Sequence, residues 1–246
     1  EADAHVGGDG GLRVLVSADG NAWKSAALLT EKGVDLRDPK LSITPDGRLM
    51  IAAGGSVYRG TKTIMGRQPR VAFSKNGSDW TKPQRTLAEG DWLWRVTWHD
   101  KVGYGVSYRT QPREKDSKDS DWLVALYSSK DGVQYAAVTD LEVPNRPNET
   151  TLRFLPDHTM IAMVRREAGS RMGWIGKSKP PYTKWSWHET KHRMGGPNFI
   201  RLPNGQMWAG SRSYPGGAKT VLARMSPSSY EPVLTLPSGG DTSYPG

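Results

Sequence analysis

Ser17-Ala18-Asp19-Gly20-Asn21-Ala22-Trp23 is a heptapeptide that recurs along this chain. It returns at 74–80 as Ser-Lys-Asn-Gly-Ser-Asp-Trp and at 129–135 as Ser-Lys-Asp-Gly-Val-Gln-Tyr, in steps of 57 and 55 residues, and a degenerate copy covers 178–185. Asp and Gly suit a tight reversal, Ser and Asp side chains can bond nearby backbone, and the aromatic residue can pack beneath the turn. A turn that recurs at a nearly fixed period indicates a repeat architecture.

A second landmark runs in phase with the first and lies between two strand-like runs of each repeat. In the first repeat, Leu41–Thr44 and Leu49–Ala53 flank a turn at Asp46-Gly47, which predicts a β-hairpin. A third strand then leads into the heptapeptide turn, and a fourth follows it. Four short antiparallel strands in about fifty residues are typical of a propeller blade. The four copies of this landmark are Pro45-Asp46-Gly47, His99-Asp100-Lys101, Pro156-Asp157-His158 and Pro203-Asn204-Gly205.

The repeats predict an all-β fold, a six-bladed β-propeller of four-stranded antiparallel blades that lacks parts of its first and last blades. We expect a single domain over residues 1–246. Its predicted parts are a partial blade at 1–30, full blades at about 35–87, 92–143, 147–190 and 195–236, and the start of a last blade at 241–246.

Composition excludes several classes of protein. Apolar residues make up 36% of the 246, enough for a core, and the apolar runs are strand-sized, so no membrane span is predicted. The net charge of +9 comes from dispersed basic residues, which favours a solvated surface over a nucleic-acid site, although it would attract an anionic sugar. With no cysteine and no amino-terminal signal pattern, localisation stays open, and a secreted or periplasmic protein is compatible.

No metal or cofactor is predicted. His188 and His192 are four residues apart, but Pro, Trp and Thr nearby argue against a helix, and no third ligand is evident. The glycine-rich segment 7–11 is not followed by the Lys-Ser/Thr of a phosphate-binding loop.

Alignment of the repeats on the Asp46 landmark shows which residues the blades bring to one face. Inner strands surround the axis of a propeller, so residues at the entry of the first strand and at the exit of the second converge there. The entry positions hold Asp38, Trp92, Glu149, Gly196 and, in the last fragment, Tyr244. The exit positions hold Gly54, Tyr108, Arg165 and Arg212.

These segments resemble the sialidase (neuraminidase) superfamily of Asp-box, or BNR-repeat, propellers across essentially the whole chain. The resemblance is carried by Asn148–Leu152, Met163–Glu167, Gly210–Ser213 and Thr242–Pro245, in the blade order of that family. It implies an exo-acting glycoside hydrolase that releases a terminal sialic acid or related acidic sugar with retention of configuration. Sialidases use a tyrosine nucleophile in place of the two carboxylates of most glycosidases.

The resemblance also implies roles for single residues. Tyr244 would be the nucleophile, with Glu149 as the base that activates it, and Arg165 and Arg212 would hold the substrate carboxylate. Tyrosine needs such help because its unperturbed pKa is about 10. Arginine suits the second task because its planar guanidinium stays charged and binds a carboxylate as a fork.

The remaining site residues are assigned by position. Asp9 lies in the glycine-rich segment where the family has its general acid, with Asp3 and His5 as alternatives. Arg166 is the alternative to Arg165, since a register slip of one residue turns a side chain to the other face.

Further substrate-binding candidates lie at the strand entries. Arg37 and Asp38 imitate a family motif, although the family's first carboxylate-binding arginine belongs to a strand that this sequence lacks. Asp38 and Glu149 are also compatible with a structural ion pair to an arginine on the same face, and Trp92 is compatible with either a sugar platform or core packing.

Two other functions remain open from the sequence. A propeller of this type could bind carbohydrate without turnover, or could act as a glycosidase or lyase on a different sugar, because a fold alone does not determine chemistry. The expected partner in each case is a sialylated or other acidic glycan, with no nucleic acid. The oligomeric state is not predicted.

Overall fold

The structure is a computed structural model that describes residues 9–60, 63–110 and 122–237. In this part of the chain the regular secondary structure is all β, in eighteen strands. No helix within it is long and apolar enough to cross a membrane.

Two strands form a separate small sheet, and the other sixteen form four sheets of four. The small sheet contains β1 (Leu12–Val16) and β2 (Lys24–Leu29). The next holds β3 (Asp35–Ile43), β4 (Leu49–Arg59), β5 (Thr63–Ser74) and β6 (Gln84–Arg85). It is followed by β7 (Trp92–His99), β8 (Val102–Arg109), β9 (Leu123–Ser129) and β10 (Ala136–Asp140).

The last two sheets lie in the second half of the chain. One holds β11 (Pro147–Phe154), β12 (Met160–Arg166), β13 (Met172–Ser178) and β14 (Ser186–Arg193). The other holds β15 (Gly195–Arg201), β16 (Met207–Ser213), β17 (Lys219–Ser226) and β18 (Ser229–Thr235). Each four-stranded sheet is a meander in which consecutive strands are neighbours.

The four meanders coincide with the four full blades that the repeats predict. The prediction of six blades is corrected, because the described residues form four. The predicted partial blade at 1–30 contributes only the two-stranded β1–β2 sheet, and the predicted last fragment at 241–246 lies outside the described residues. The sequence count took both end fragments as blades.

The chain divides into two compact units. The first unit contains residues 1–104 and 128–136, and the second contains residues 105–127 and 137–246. A single domain over 1–246 stays a prediction.

Each unit has apolar cores between its strands. In the first unit Leu36, Ile51 and Ala72 pack with Leu12 and Leu29 of the small sheet. In the second unit β12 is buried from Met160 to Val164, and its side chains pack toward β15. A strand covered on both faces reads as a continuous apolar run, which explains the Met-Ile-Ala-Met-Val sequence of β12.

The heptapeptide turns share one hydrogen-bond pattern. At the first copy, Ser17 Oγ accepts from the Gly20 N–H at 2.8 Å, Asp19 Oδ1 accepts from the Asn21 N–H at 2.8 Å, and Trp23 Nε1 donates to the Gly20 carbonyl at 3.0 Å. The copy at 74–80 repeats all three bonds with Asn76 in place of the Asp, and the copy at 129–135 repeats the Ser and Asp bonds.

Candidate functional site

Three inner strands carry a β-bulge at the same place, where they enter their sheets. The pairing register shifts between Arg37 and Lys40 in β3, between Pro147 and Thr150 in β11, and between Gly195 and Asn198 in β15. Bulges redirect side chains and are common beside active sites. The entry residues Asp38, Glu149 and Gly196, which the repeat alignment made equivalent, lie within these three bulges.

The two predicted arginines leave the neighbouring strands at the same end of their sheets. Arg212 pairs with Gly195, the residue before the bulge of β15. Arg165 lies opposite the bulge between Pro147 and Thr150 of β11. Because the bulges align, the equivalence of the two arginines follows from the strand register as well as from the sequence.

Glu149 and Arg165 are in direct contact. Arg165 Nη1 donates to Glu149 Oε2 at 2.7 Å, and the Gly196 N–H donates to the same oxygen at 2.9 Å. Glu149 is 5% exposed. A buried carboxylate is tolerated when it is paired and hydrogen-bonded, so the entries of β11 and β15 together hold this one in place.

A second carboxylate extends the cluster. Arg165 Nε also donates to Glu167 Oε1, and Arg193 Nη2 donates to Glu167 Oε2 at 3.2 Å. Burial by itself would lower the pKa of the Arg165 guanidinium, but the carboxylates of Glu149 and Glu167 outweigh this effect and raise it. Arg165 is thus a fully charged bridge between two carboxylates.

Tyr214 completes this group of side chains, which we call the Glu149 cluster: Glu149, Arg165, Glu167, Arg193 and Tyr214. The Arg193 guanidinium lies over the Tyr214 ring at 3.8 Å from its centroid, which is a cation–π contact. The Tyr214 hydroxyl lies against Gly195, since a methyl group added to that glycine would be 2.5 Å from the hydroxyl oxygen.

Sequence reasoning missed Arg193 and Tyr214, although one signal was available for the tyrosine. Tyr214 lies in Ser213-Tyr-Pro-Gly216, the same tetrapeptide that surrounds Tyr244 at 243–246. Arg193 gives no such signal, because its place depends on where the outer strand β14 ends.

Arg166, the predicted alternative to Arg165, is committed to other protein groups. Its side chain is 2% exposed, and it donates to the Pro144 and Met172 carbonyls at 3.1 and 3.2 Å and to Glu189 Oε2. Its guanidinium also lies 4.8 Å from the centroid of the Trp174 ring. Arg165 and Arg166 therefore have separate environments, as neighbours on a strand should. Arg212 is half-buried at the exit of β16.

Three other predicted residues lie in the first unit. Arg37 Nε donates to Oδ2 of the fully buried Asp35 at 2.5 Å. Asp38 has a positive φ of 51°, a conformation that Asp tolerates better than most residues, and its carbonyl accepts from Lys40 Nζ at 3.1 Å. Asp9 is exposed, and the next residue, Gly10, accepts from the Leu36 N–H at 2.9 Å.

Trp92 is 6% exposed and fills space left by a glycine. A methyl group added to Gly54 would lie 2.0 Å from Trp92 Cζ2, so the indole packs directly on the backbone there. Gly54 occupies the exit position that is arginine in the two sheets of the second unit. In the first unit the indole and the glycine together replace an arginine side chain.

Tyr244, predicted as the nucleophile, lies outside the described residues, as do the alternatives Asp3 and His5. Within the described chain, the structure brings Glu149 and Arg165 into contact and keeps Arg166 apart from them.

Comparison with known proteins identifies the fold and not a family. No protein-family model matches the sequence, and no curated protein is similar to it in sequence. Solved structures are similar in fold. A protein of unknown function from Dyadobacter fermentans has a TM-score of 0.75 at 16% identity, over 90% of this chain and 70% of that one.

Several of the similar structures are glycoside hydrolases. A Hadza microbial sialidase has a TM-score of 0.61 at 13% identity, over 86% of this chain and 49% of that one. A GH43 β-xylosidase/α-arabinofuranosidase from a compost metagenome has a TM-score of 0.58 at 10% identity, over 83% of this chain and 79% of that one. At these identities the likeness shows a fold alone. The fold is a β-propeller of four-stranded antiparallel blades, as found in several glycoside hydrolases. This chain spans about half the length of the sialidase.

Proposed function

We propose that this protein is a glycoside hydrolase that releases a terminal sialic acid or a related acidic sugar with retention of configuration. The observation that carries the proposal is the contact of Glu149 Oε2 with Arg165 Nη1 at 2.7 Å, at a bulged strand entry. The buried carboxylate of Glu149 on β11 and the guanidinium of Arg165 on the adjacent β12 are groups that can move a proton and bind an anion in one place.

In the proposed reaction the Tyr244 oxygen attacks the anomeric carbon and its proton passes to Glu149. Asp9 gives a proton to the leaving glycosidic oxygen, so that the aglycone departs as a neutral alcohol. Water then hydrolyses the tyrosyl-glycosyl intermediate, with its proton taken by Asp9 and the phenol proton returned from Glu149. A neutral phenol suits this substrate, because a carboxylate nucleophile would be repelled by the acid group on the same carbon.

Arginine side chains near Glu149 suit an acidic sugar. Arg165 contacts both Glu149 and Glu167, and Arg193 contacts Glu167. Arg212 leaves the next sheet at the equivalent strand exit, where it pairs with Gly195. Because a guanidinium binds a carboxylate as a planar fork, a sugar acid is a better match than a neutral sugar.

A different sugar is the second candidate, since one similar structure is an enzyme named for xylosides and arabinosides. A glycosidase for neutral sugars on this fold would not need arginine to hold a substrate carboxylate, so the two candidates differ in their dependence on Arg165 and Arg212.

The test is hydrolysis of a fluorogenic sialoside by the full-length protein and by Tyr244→Phe. We expect turnover by the wild type and a loss of at least about a thousandfold in the variant, since a residue that forms the covalent intermediate acts in every turnover. Tyr182→Phe is the matched control, because the Tyr182 hydroxyl donates to a backbone carbonyl, that of His158, at 3.1 Å.

Outcomes that contradict the proposal are distinct. Full activity in Tyr244→Phe would remove the tyrosine nucleophile. An inactive wild type that cleaves aryl xylosides or arabinosides would support the second candidate. Binding of sialic acid without any hydrolysis would mean a carbohydrate-binding propeller.

A further inference from the structure

We infer that Tyr214 and Arg193 form a ligand-contacting pair in the Glu149 cluster. The phenol hydroxyl and the guanidinium would form hydrogen bonds to oxygen atoms of the bound sugar. The inference rests on the proposed function in one respect only, the class of ligand. It assigns a second tyrosine to the site, in addition to the proposed nucleophile.

The pair is singled out by two buried donors that have no hydrogen-bond partner among the residues that the structure describes. The Tyr214 hydroxyl and Arg193 Nε are both shielded from solvent, and neither makes a hydrogen bond to any residue that the structure describes. Buried hydroxyl and guanidinium groups are nearly always bonded, because an unsatisfied one loses its hydration without compensation. Two such groups in contact with each other, in a cluster of charged side chains, mark a place where a ligand can supply the missing acceptors.

The Tyr214 hydroxyl packs against Gly195, where a larger residue would clash with it. Gly195 precedes Gly196, whose N–H donates to Glu149 Oε2. An added methyl at Gly195 would lie 2.5 Å from the Tyr214 hydroxyl oxygen and 3.1 Å from Arg212 Cβ. The phenol of Tyr214 therefore contacts the residue that directly precedes Gly196, the donor to the Glu149 carboxylate.

Both side chains are partly accessible. Arg193 is 27% exposed and donates a hydrogen bond to Glu167, while Tyr214 is half-buried. Tyr214 precedes Pro215 and two glycines with positive φ, 70° at Gly216 and 100° at Gly217. Rotation of the partly exposed guanidinium away from the ring would uncover the hydroxyl for a ligand.

A purely structural role would not need the hydroxyl. Phenylalanine would offer the same ring face to Arg193 and would leave no unsatisfied oxygen. A tyrosine at this place fits a group that both donates to and accepts from sugar oxygens, as a phenol can.

The experiment compares wild type, Tyr214→Phe and Gly195→Ala in the full chain. Two readouts are needed: kcat/KM on a fluorogenic sialoside, and binding of free N-acetylneuraminic acid by calorimetry. We expect Tyr214→Phe to keep or raise the Tm, because it removes an unsatisfied group, and to lose about 10- to 100-fold in kcat/KM and in affinity. Gly195→Ala should lower both functions because it displaces the hydroxyl, and Tyr182→Phe should change neither.

The outcomes separate this inference from the proposed function. A wild type that binds or cleaves the sialoside, with Tyr214→Phe equal to it, overturns the inference and leaves the function intact. A wild type that binds without cleaving, with binding lost in Tyr214→Phe, supports the inference and contradicts hydrolysis. A Tm lowered in Tyr214→Phe with unchanged affinity would show a packing role and overturn the inference. A wild type that neither binds nor cleaves overturns both.

Discussion

Arg165 Nη1 lies 2.7 Å from Glu149 Oε2, although the two residues are sixteen positions apart along the chain. The contact forms because Glu149 enters β11 at a bulge and Arg165 leaves β12 opposite it. The same guanidinium reaches Glu167 through Nε, so its planar fork links two carboxylates.

Arg165→Lys tests that fork. A lysine ammonium is a single point charge, so it cannot replace both contacts in one geometry. We expect kcat/KM on a sialoside to fall about 10- to 100-fold, which corresponds to about 1.4 to 2.8 kcal/mol. Arg201→Lys, at an exposed position on β15, is the control. Equal losses in the two variants would argue against a special role for Arg165.

Gly54→Ala tests the packing of Trp92 in the first unit. The new methyl would lie 2.0 Å from the indole, and such overpacking costs typically about 1 to 3 kcal/mol. We expect the free energy of unfolding to fall by about 3 kcal/mol in urea denaturation, at the upper end of that range. Gly103→Ala, where the methyl would lie 3.2 Å from the Val96 side chain, should cost less. A Gly54→Ala protein as stable as the wild type would mean that Trp92 moves freely.

We expect the contribution of Glu189 to the stability of the fold to depend on pH. The pKa of Glu189 is lowered from 4.5 to about 2, mainly by the hydrogen bond from Arg166 and further by those from Trp174 and Ser170. A carboxylate with a lowered pKa stabilises the fold above its unfolded pKa, and this contribution is lost as the pH falls through the folded value. The effect will be small because Glu189 is 44% exposed and screened by solvent.

The measurement is Tm between pH 7 and pH 2 for wild type and Glu189→Gln. The variant should have the lower Tm at pH 7, and the difference should shrink between pH 4.5 and 2. Glu231→Gln, on the exposed outer strand β18, should parallel the wild type. A difference in Tm that stays constant down to pH 2 would contradict this assignment.

The blades could be predicted from the sequence because their signals are local. Turn residues and short apolar runs repeat along the chain, and the strand register then follows. The blade count failed at the two ends, where fragments were counted as blades. Glu149 and Arg165 could be paired because each occupies a repeat-equivalent position. Arg193 and Tyr214 could not, because their contact depends on side chains that leave different sheets, and no repeat relates the two positions.

Asp9→Asn tests the general acid through the leaving group. The aglycone of an aryl sialoside leaves as a stable phenolate and needs little protonation, whereas an alkyl or sugar aglycone needs a proton. We expect a loss of about 100-fold or more on sialyllactose and less than about tenfold on the aryl substrate. Asp140→Asn, at an exposed position on β10, should leave both rates unchanged. Equal losses on the two substrates would mean that Asp9 is not the acid.

The most direct measurement of the central claim is kcat/KM on a fluorogenic sialoside for wild type, Glu149→Gln and Glu231→Gln. We expect turnover by the wild type, unchanged turnover by Glu231→Gln, and a loss of at least about a hundredfold in Glu149→Gln, whose neutral amide cannot accept the phenol proton. An active Glu149→Gln enzyme, or a wild type without turnover, would contradict a hydrolase for acidic sugars built on the Glu149 cluster.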